Sequence, residues 1–160
     1  AYPFHLPDDP QYVEVARNCN IKYARITDST YGFGLPSDFL RWRPTCHHAE
    51  PELPSLVERF LQPDDIEHPW RITCRLLYVW GHSYEYDGHW EDLEKLCKLL
   101  SSHNNVWYAT NGEIVDYLIA YRQLHTSVDG SMLSNPSAAT LYVSINNTDY
   151  TIGPGEPLYL

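Results

Sequence analysis

The sequence predicts an α/β fold, parallel strands joined by crossover helices with a C-terminal β-hairpin appendage, on three observations. Strand and helix patterns alternate from residue 1 to about residue 124, the order that builds a parallel sheet or barrel. An apolar run over residues 76–80, Leu-Leu-Tyr-Val-Trp, stops at Gly81 and delivers His82 where a buried strand emerges. That edge is where α/β proteins place working groups. From Ser127 onward the pattern changes to short strands separated by turn residues. The expected organisation is therefore an α/β part over residues 1–126 and a β-rich extension over residues 127–160.

The elements follow in order. Residues 1–4 read as the end of a strand, and Pro7-Asp8-Asp9-Pro10 as a turn that opens a helix, with Asp9 as cap and Pro10 at the first helical position. Tyr12, Val13, Ala16 and Cys19 recur at helical spacing, and Asn20 suits the left-handed conformation that ends a helix. Residues 21–27 alternate as a strand. Gly32, Gly34 and Pro36 mark residues 28–37 as a loop, and no lysine and helix follow to make it a phosphate cradle. Residues 39–45 read as extended and lead into Cys46-His47-His48. Adjacent histidines on an extended chain point to opposite faces, so these two are not expected to share a metal, although one of them can line a site.

Leu53, Leu56, Val57, Phe60 and Leu61 share one face of a helix over residues 51–62, with Pro54 tolerated in its first turn. An acidic, proline-flanked loop over residues 63–70 leads to the strand of residues 72–80. After His82 comes an acidic turn and then a helix with the stripe Trp90, Leu93, Leu96, Cys97 and Leu100, its wet side carrying Glu91 with Lys95 and Glu94 with Lys98. Residues 106–109 form a short apolar strand in this reading, and Thr110 with Glu113 makes a capping box for a helix through Ile114, Tyr117, Leu118 and Tyr121. In the tail, residues 141–145 and 150–152 alternate around the turn Asn146-Asn147-Thr148-Asp149. These asparagines also spell a glycosylation sequon, but a hairpin turn is the expected reason for them.

The 160 residues suffice for one domain with a real core, and 43% hydrophobic with 20% charged residues is ordinary globular composition. A formal net charge of -10 with no basic cluster argues against a phosphate-backbone partner, so no nucleic acid is expected. No apolar run approaches the roughly 20 residues of a membrane helix. Cys19, Cys46, Cys74 and Cys97 show no close pair and no metal spacing, which points to a reducing, cytoplasmic compartment. Cys19 and Cys97 fall on helix faces where a thiol acts as a small hydrophobe. The 13 tyrosines and 5 tryptophans suit a rich core or a sugar-facing cleft. The opening Ala-Tyr-Pro-Phe reads as a start inside a structural element, with a preceding part expected.

Several strings resemble the C-terminal half of the polysaccharide deacetylase family, metal-dependent enzymes on a distorted β/α barrel that remove acetyl groups from amino sugars. Ala-Tyr-Pro-Phe at residues 1–4 is similar to the family's Arg-x-Pro-Tyr motif, and residues 21–27 to the strand after it. Trp80-Gly81-His82 is similar to the late motif that ends a strand in a histidine. Trp-Gly-His-Ser-Tyr-Glu, Trp-Tyr-Ala-Thr-Asn-Gly-Glu-Ile and Asn-Pro-Ser before a β tail resemble one branch of the family. The resemblance covers most of the chain and implies a partial distorted β/α barrel.

It also implies roles. His82 corresponds to the general acid that protonates the leaving amine, the backbone amide of Phe4 to the oxyanion donor, and carbohydrate to the partner. Trp80, Tyr84 and Trp42 become the candidate substrate-binding residues. A divalent metal, zinc or similar, is expected for the complete family domain. The base aspartate and the metal ligands lie upstream of the Arg-x-Pro-Tyr motif, so this chain alone is expected to bind none. Ala1 stands where the motif has arginine and His5 where a glycine commonly follows, and Arg41-Trp42 lacks the carboxylate of the aspartate-tryptophan motif that tunes the acid histidine. Arg25 and Asp38 are the candidates to compensate.

Three readings follow. The first is the C-terminal part of a deacetylase, competent with an N-terminal half. The second is a non-catalytic carbohydrate-binding or structural module in which Trp80, Tyr84, Tyr86 and Trp90 stack on sugars. The third is a self-sufficient hydrolase with a metal set drawn from His47, His48, His82, Glu85 and Asp87. A half barrel would expose two sheet edges and an apolar interior, so an oligomer or an associated N-terminal half is expected.

Overall fold

The computed structural model describes residues 1–3, 10–62 and 74–160, which fall into two compact units, Ala1–Trp107 and Tyr108–Leu160. Phe4, the turn with its Asp9 cap, the loop of residues 63–70 and the start of the strand after it lie outside the described residues.

In the first unit, helix α1 (Pro10–Asn18) starts on its proline and buries Val13 against Ala24 and Leu40. Asn20 takes φ 57° just beyond the helix, a conformation that its short polar side chain tolerates. The expected strand of residues 21–27 reduces to one parallel bridge, Arg25 with Trp42. It is flanked by hydrogen bonds from Ala24 N–H to Phe39 O (2.8 Å) and Ile26 N–H to Trp42 O (3.0 Å). Residues 39–41 are not extended: Asp38 Oδ1 accepts the Leu40 N–H at 2.9 Å and winds Phe39–Arg41 into a 3-10 turn.

Strand β1 (Cys46–His47) and strand β2 (Val79–Trp80) pair in parallel, Cys46 opposite Val79 and His47 opposite Trp80. The register extends on both sides through Thr45 N–H to Tyr78 O (2.8 Å) and His48 N–H to Trp80 O (2.8 Å). Between them in sequence lies helix α2 (Leu53–Leu61), with Pro54 in its first turn, so β1, α2 and β2 form the expected strand, crossover and parallel strand. Leu53, Leu56 and Val57 bury against Cys46, and Leu77, Val79, Leu96 and Leu100 pack onto that cluster. Burial raises the Cys46 thiol to about 11, which makes it a core group rather than a nucleophile.

Helix α3 (Trp90–Leu100) forms as expected, but its stripe is only partly covered and Cys97 is exposed, as is Cys19, which falls beyond the end of α1. Lys98 pairs with Glu94 at 3.6 Å, whereas Lys95 takes Asp92 at 2.7 Å rather than Glu91. Residues 106–109 join no ladder; Trp107 and Tyr108 are exposed, and the strand expected there does not form. The described residues thus hold mixed helix and strand in small sheets, and no barrel closes among them.

In the second unit, helix α4 (Asn111–Tyr121) carries the expected capping box: Glu113 N–H donates to Thr110 Oγ1 (3.3 Å) and Thr110 N–H to Glu113 Oε2 (2.7 Å). Strands β3 (His125–Thr126), β4 (Met132–Ser134) and β7 (Pro157–Tyr159) make an antiparallel sheet in the order β3-β4-β7. Strands β5 (Leu141–Ile145) and β6 (Thr148–Ile152) make the expected hairpin, with Asn146 at φ 51° and Asn147 at φ 62°. Two successive left-handed residues are what a tight hairpin turn needs, which accounts for both asparagines. Tyr142 N–H donates to Tyr117 Oη at 3.1 Å, so within this unit α4 packs with the β5–β6 hairpin. Asn135, of the Asn-Pro-Ser string, is 0% exposed. Its amide donates to the carbonyls of Ala139, Ile152 and Gly153, and its Oδ1 accepts from Ser137 N–H and Oγ. Among the described residues no helix is long and apolar enough to cross a membrane.

Candidate functional site

The parallel pair β1 and β2 ends at one edge of the first unit, and the residues that follow each strand meet there. β1 delivers His47 and, one turn residue later, His48. β2 delivers Gly81 and His82, after which a 3-10 turn, Ser83–Tyr86, swings Glu85 back over the strand end. Glu85 Oε2 accepts the backbone N–H of His82 at 2.6 Å, the capping contact that a glutamate three residues after the cap residue His82 can make.

The same oxygen is approached by three imidazoles: His47 Nε2 at 3.2 Å, His48 Nε2 at 3.1 Å and His82 Nδ1 at 3.2 Å. The expectation that His47 and His48 face opposite ways is corrected here. The chain leaves extended geometry at His48, which lies in a turn, and the two rings stand 4.4 Å apart on the same side. Gly81 makes room for this, since a Cβ there would collide with His48 Cδ2. The other face of His48 stacks on Tyr86 at 4.4 Å.

These donors hold the Glu85 carboxyl at about 2, led by the His82 backbone N–H, with the His48, His47 and His82 rings adding to it. An ionised carboxylate only accepts, and this sets the proton positions on the rings. Ala49 N–H donates to His47 Nδ1 at 3.2 Å, so the neutral His47 ring carries its proton on Nε2, toward Glu85. His82 carries its proton on Nδ1, again toward Glu85, and its Nε2 keeps a lone pair. A carboxylate holding one imidazole nitrogen while the other faces outward is the arrangement that prepares histidine for proton transfer.

Aromatic rings surround the cluster. Trp80 is half-buried beneath the Arg25 guanidinium, 3.8 Å from its ring, and lies edge-on to His47 and His82 at 4.5 and 5.6 Å. Its indole nitrogen is buried and finds no hydrogen-bond partner among the described residues. Tyr84 is 66% exposed and stacks on His82 at 5.0 Å, an open aromatic surface beside the cluster.

Of the residues predicted from sequence, His82, Trp80 and Tyr84 come together here. Trp42 does not: it is 2% exposed, packed edge-to-face against Tyr23, Phe39 and Tyr78, and is core rather than a sugar platform. Tyr86 is likewise buried. Phe4 lies outside the described residues. Of the compensating residues considered, Asp38 caps the 3-10 turn, and Arg25 covers Trp80. Glu85 is the hub that sequence reasoning underrated, grouped only with Asp87 as a spare carboxylate. Its signal was its spacing, three residues past a histidine that ends a strand. No family model, curated protein or solved structure matches the chain.

Proposed function

We propose that this chain carries the acid–base part of a metal-dependent carbohydrate deacetylase, an enzyme that hydrolyses an acyl amide or ester on a sugar. The observation that carries the reading is the Glu85–His82 contact at the C-terminal end of β2, which engages Nδ1 and leaves His82 Nε2 without a hydrogen-bond partner among the described residues. In hydrolysis the tetrahedral intermediate collapses by breaking its bond to the leaving nitrogen, which needs a proton. Protonated His82 gives that proton from Nε2, returns to the neutral ring, and keeps its Nδ1–H on Glu85 throughout. Tyr84 offers a stacking face for a sugar ring.

The residues at hand cannot hold the catalytic metal that the family resemblance implies while His82 serves as the acid. Among the described residues the group within ligand range of one another is His47, His82 and Glu85, and it uses the acid histidine itself. No step above therefore runs through a metal; in this reading the ion and its ligands come from an upstream segment of the parent protein or from a second chain. The test is acetate release from an N-acetylated oligosaccharide by the protein expressed from its complete gene, with Zn²⁺ or Co²⁺ supplied. His82→Ala is expected to lower kcat by about a hundredfold or more. Undiminished turnover in that variant refutes the assignment.

A second reading, carbohydrate binding without catalysis, is favoured by the exposed Tyr84 face alone. Saturable glycan binding with no acetate released by the protein expressed from its complete gene would select it.

A further inference from the structure

We propose that His47, His82 and Glu85 form a binding site for one divalent transition-metal ion, Zn²⁺ or Co²⁺ by its chemistry, on this chain itself. One ligand atom from each lies within 4.8 Å of the others. The spacing of Glu85 Oε2 from His47 Nε2 and from His82 Nδ1 is 3.2 Å in both cases. Donors bonded to zinc at about 2.0–2.1 Å in a tetrahedron stand about 3.3 Å from each other, so each imidazole already stands at the right distance from the carboxylate, and the adjustment that admits an ion falls between the two imidazoles. Two imidazoles and a carboxylate are a donor set for zinc and its neighbours rather than for calcium or magnesium, and three protein ligands leave a position for water.

The elements around the set hold it in shape. His47 comes from the end of β1, while His82 and Glu85 come from the end of β2 and the turn after it, so the paired strands fix the gap. His48, stacked on Tyr86, reaches Glu85 Oε2 at 3.1 Å and orients the carboxylate from outside the set. In the metal-free protein, protons bridge these atoms. On binding, His47 moves its proton to Nδ1, and Ala49 N–H, which is exposed, turns from that nitrogen to water. An ion on His82 Nδ1 excludes the imidazolium that protonates a leaving group, so the ion acts as an inhibitor of the proposed hydrolysis. That consequence rests on the deacetylase reading; binding itself does not.

The experiment is a titration of the chelator-treated chain with Co²⁺, followed by visible absorption, and with Zn²⁺, followed by calorimetry. No substrate is present, so its failure is distinct from failure of the deacetylase reading. One equivalent is expected, with cobalt bands of low coordination number. His47→Ala and Glu85→Gln are each expected to weaken binding about tenfold or more, while His103→Ala, away from the cluster, leaves it unchanged. His82→Ala, at an exposed position, provides an independent variant should His47→Ala fail to fold, as judged by its amide spectrum. Less than about a tenth of an equivalent bound, or binding unaltered in both Glu85→Gln and His82→Ala, overturns the site.

Discussion

Glu85 Oε2 lies 3.2 Å from His47 Nε2 across a separation of 38 residues, tying the end of β1 to the turn after β2. The contact exists because two parallel strands end at one edge and because the Ser83–Tyr86 turn folds back over that edge. It turns four residues of ordinary type into one cluster whose protons have fixed places.

Gly81 should be intolerant of any side chain. A methyl group there meets the His48 ring, so Gly81→Ala displaces His48 from Glu85 or shifts the strand end. Denaturant unfolding is expected to show a loss of about 1–3 kcal/mol, as for overpacking elsewhere. Unchanged stability together with an unchanged His48 ring resonance would show that the space is not as tight as described.

Trp42 and Tyr84 should behave oppositely, although both were candidates for a sugar platform. Trp42→Ala empties a fully enclosed site and is expected to cost about 3–5 kcal/mol. Tyr84→Ala removes an exposed ring and is expected to stay within about 0.5 kcal/mol, while weakening binding in a glycan titration read by tryptophan fluorescence. Equal glycan affinity in Tyr84→Ala and the parent chain would remove Tyr84 from the site.

The elements that were legible in the sequence are those set by local chemistry. Thr110 with Glu113, Asn20 beyond α1 and the Asn146-Asn147 turn each satisfy backbone groups within a few residues, so spacing alone reveals them. Asp38 is local too, yet the apolar and β-favouring residues after it masked its cap. Strand calls needed partners that sequence does not name: residues 106–109 carry strand residues but no neighbouring strand, and residues 21–27 pair at a single bridge. The site was half legible for the same reason. His82 stood out by position, but His47, His48 and Glu85 become one cluster only through the pairing of β1 with β2.

Asn135 should be the least replaceable polar residue of the second unit. Its amide serves three carbonyls at 2.7, 3.1 and 3.0 Å in a fully buried position. Asn135→Ala strands them and is expected to cost on the order of 3 kcal/mol, measured by thermal or denaturant unfolding. A loss under about 0.5 kcal/mol would mean that other donors replace it.

The turn between β3 and β4 should loosen in acid. Asp129 Oδ1 accepts from Ser127 Oγ, Ser131 N–H and Ser131 Oγ, and these donors hold its carboxyl at about 2. A carboxyl lowered in the folded state contributes stability above its ordinary value of about 3.9 and loses that contribution as pH falls from there toward the folded value. Hydrogen exchange at the Ser131 amide is therefore expected to gain an acid-dependent opening between pH about 4 and about 2. Asp129→Asn should abolish that dependence, and a Ser131 amide equally protected across the range would contradict it.

The central claim is that Glu85 fixes where His47 and His82 carry their protons. Long-range ¹H–¹⁵N spectra of the metal-free chain near neutral pH read each ring directly. The account predicts the neutral His82 ring with its proton on Nδ1 and a lone pair on Nε2, the neutral His47 ring with its proton on Nε2, and loss of the His82 preference in Glu85→Gln. A His82 ring protonated on Nε2 with Nδ1 bare, in the parent chain, would contradict it.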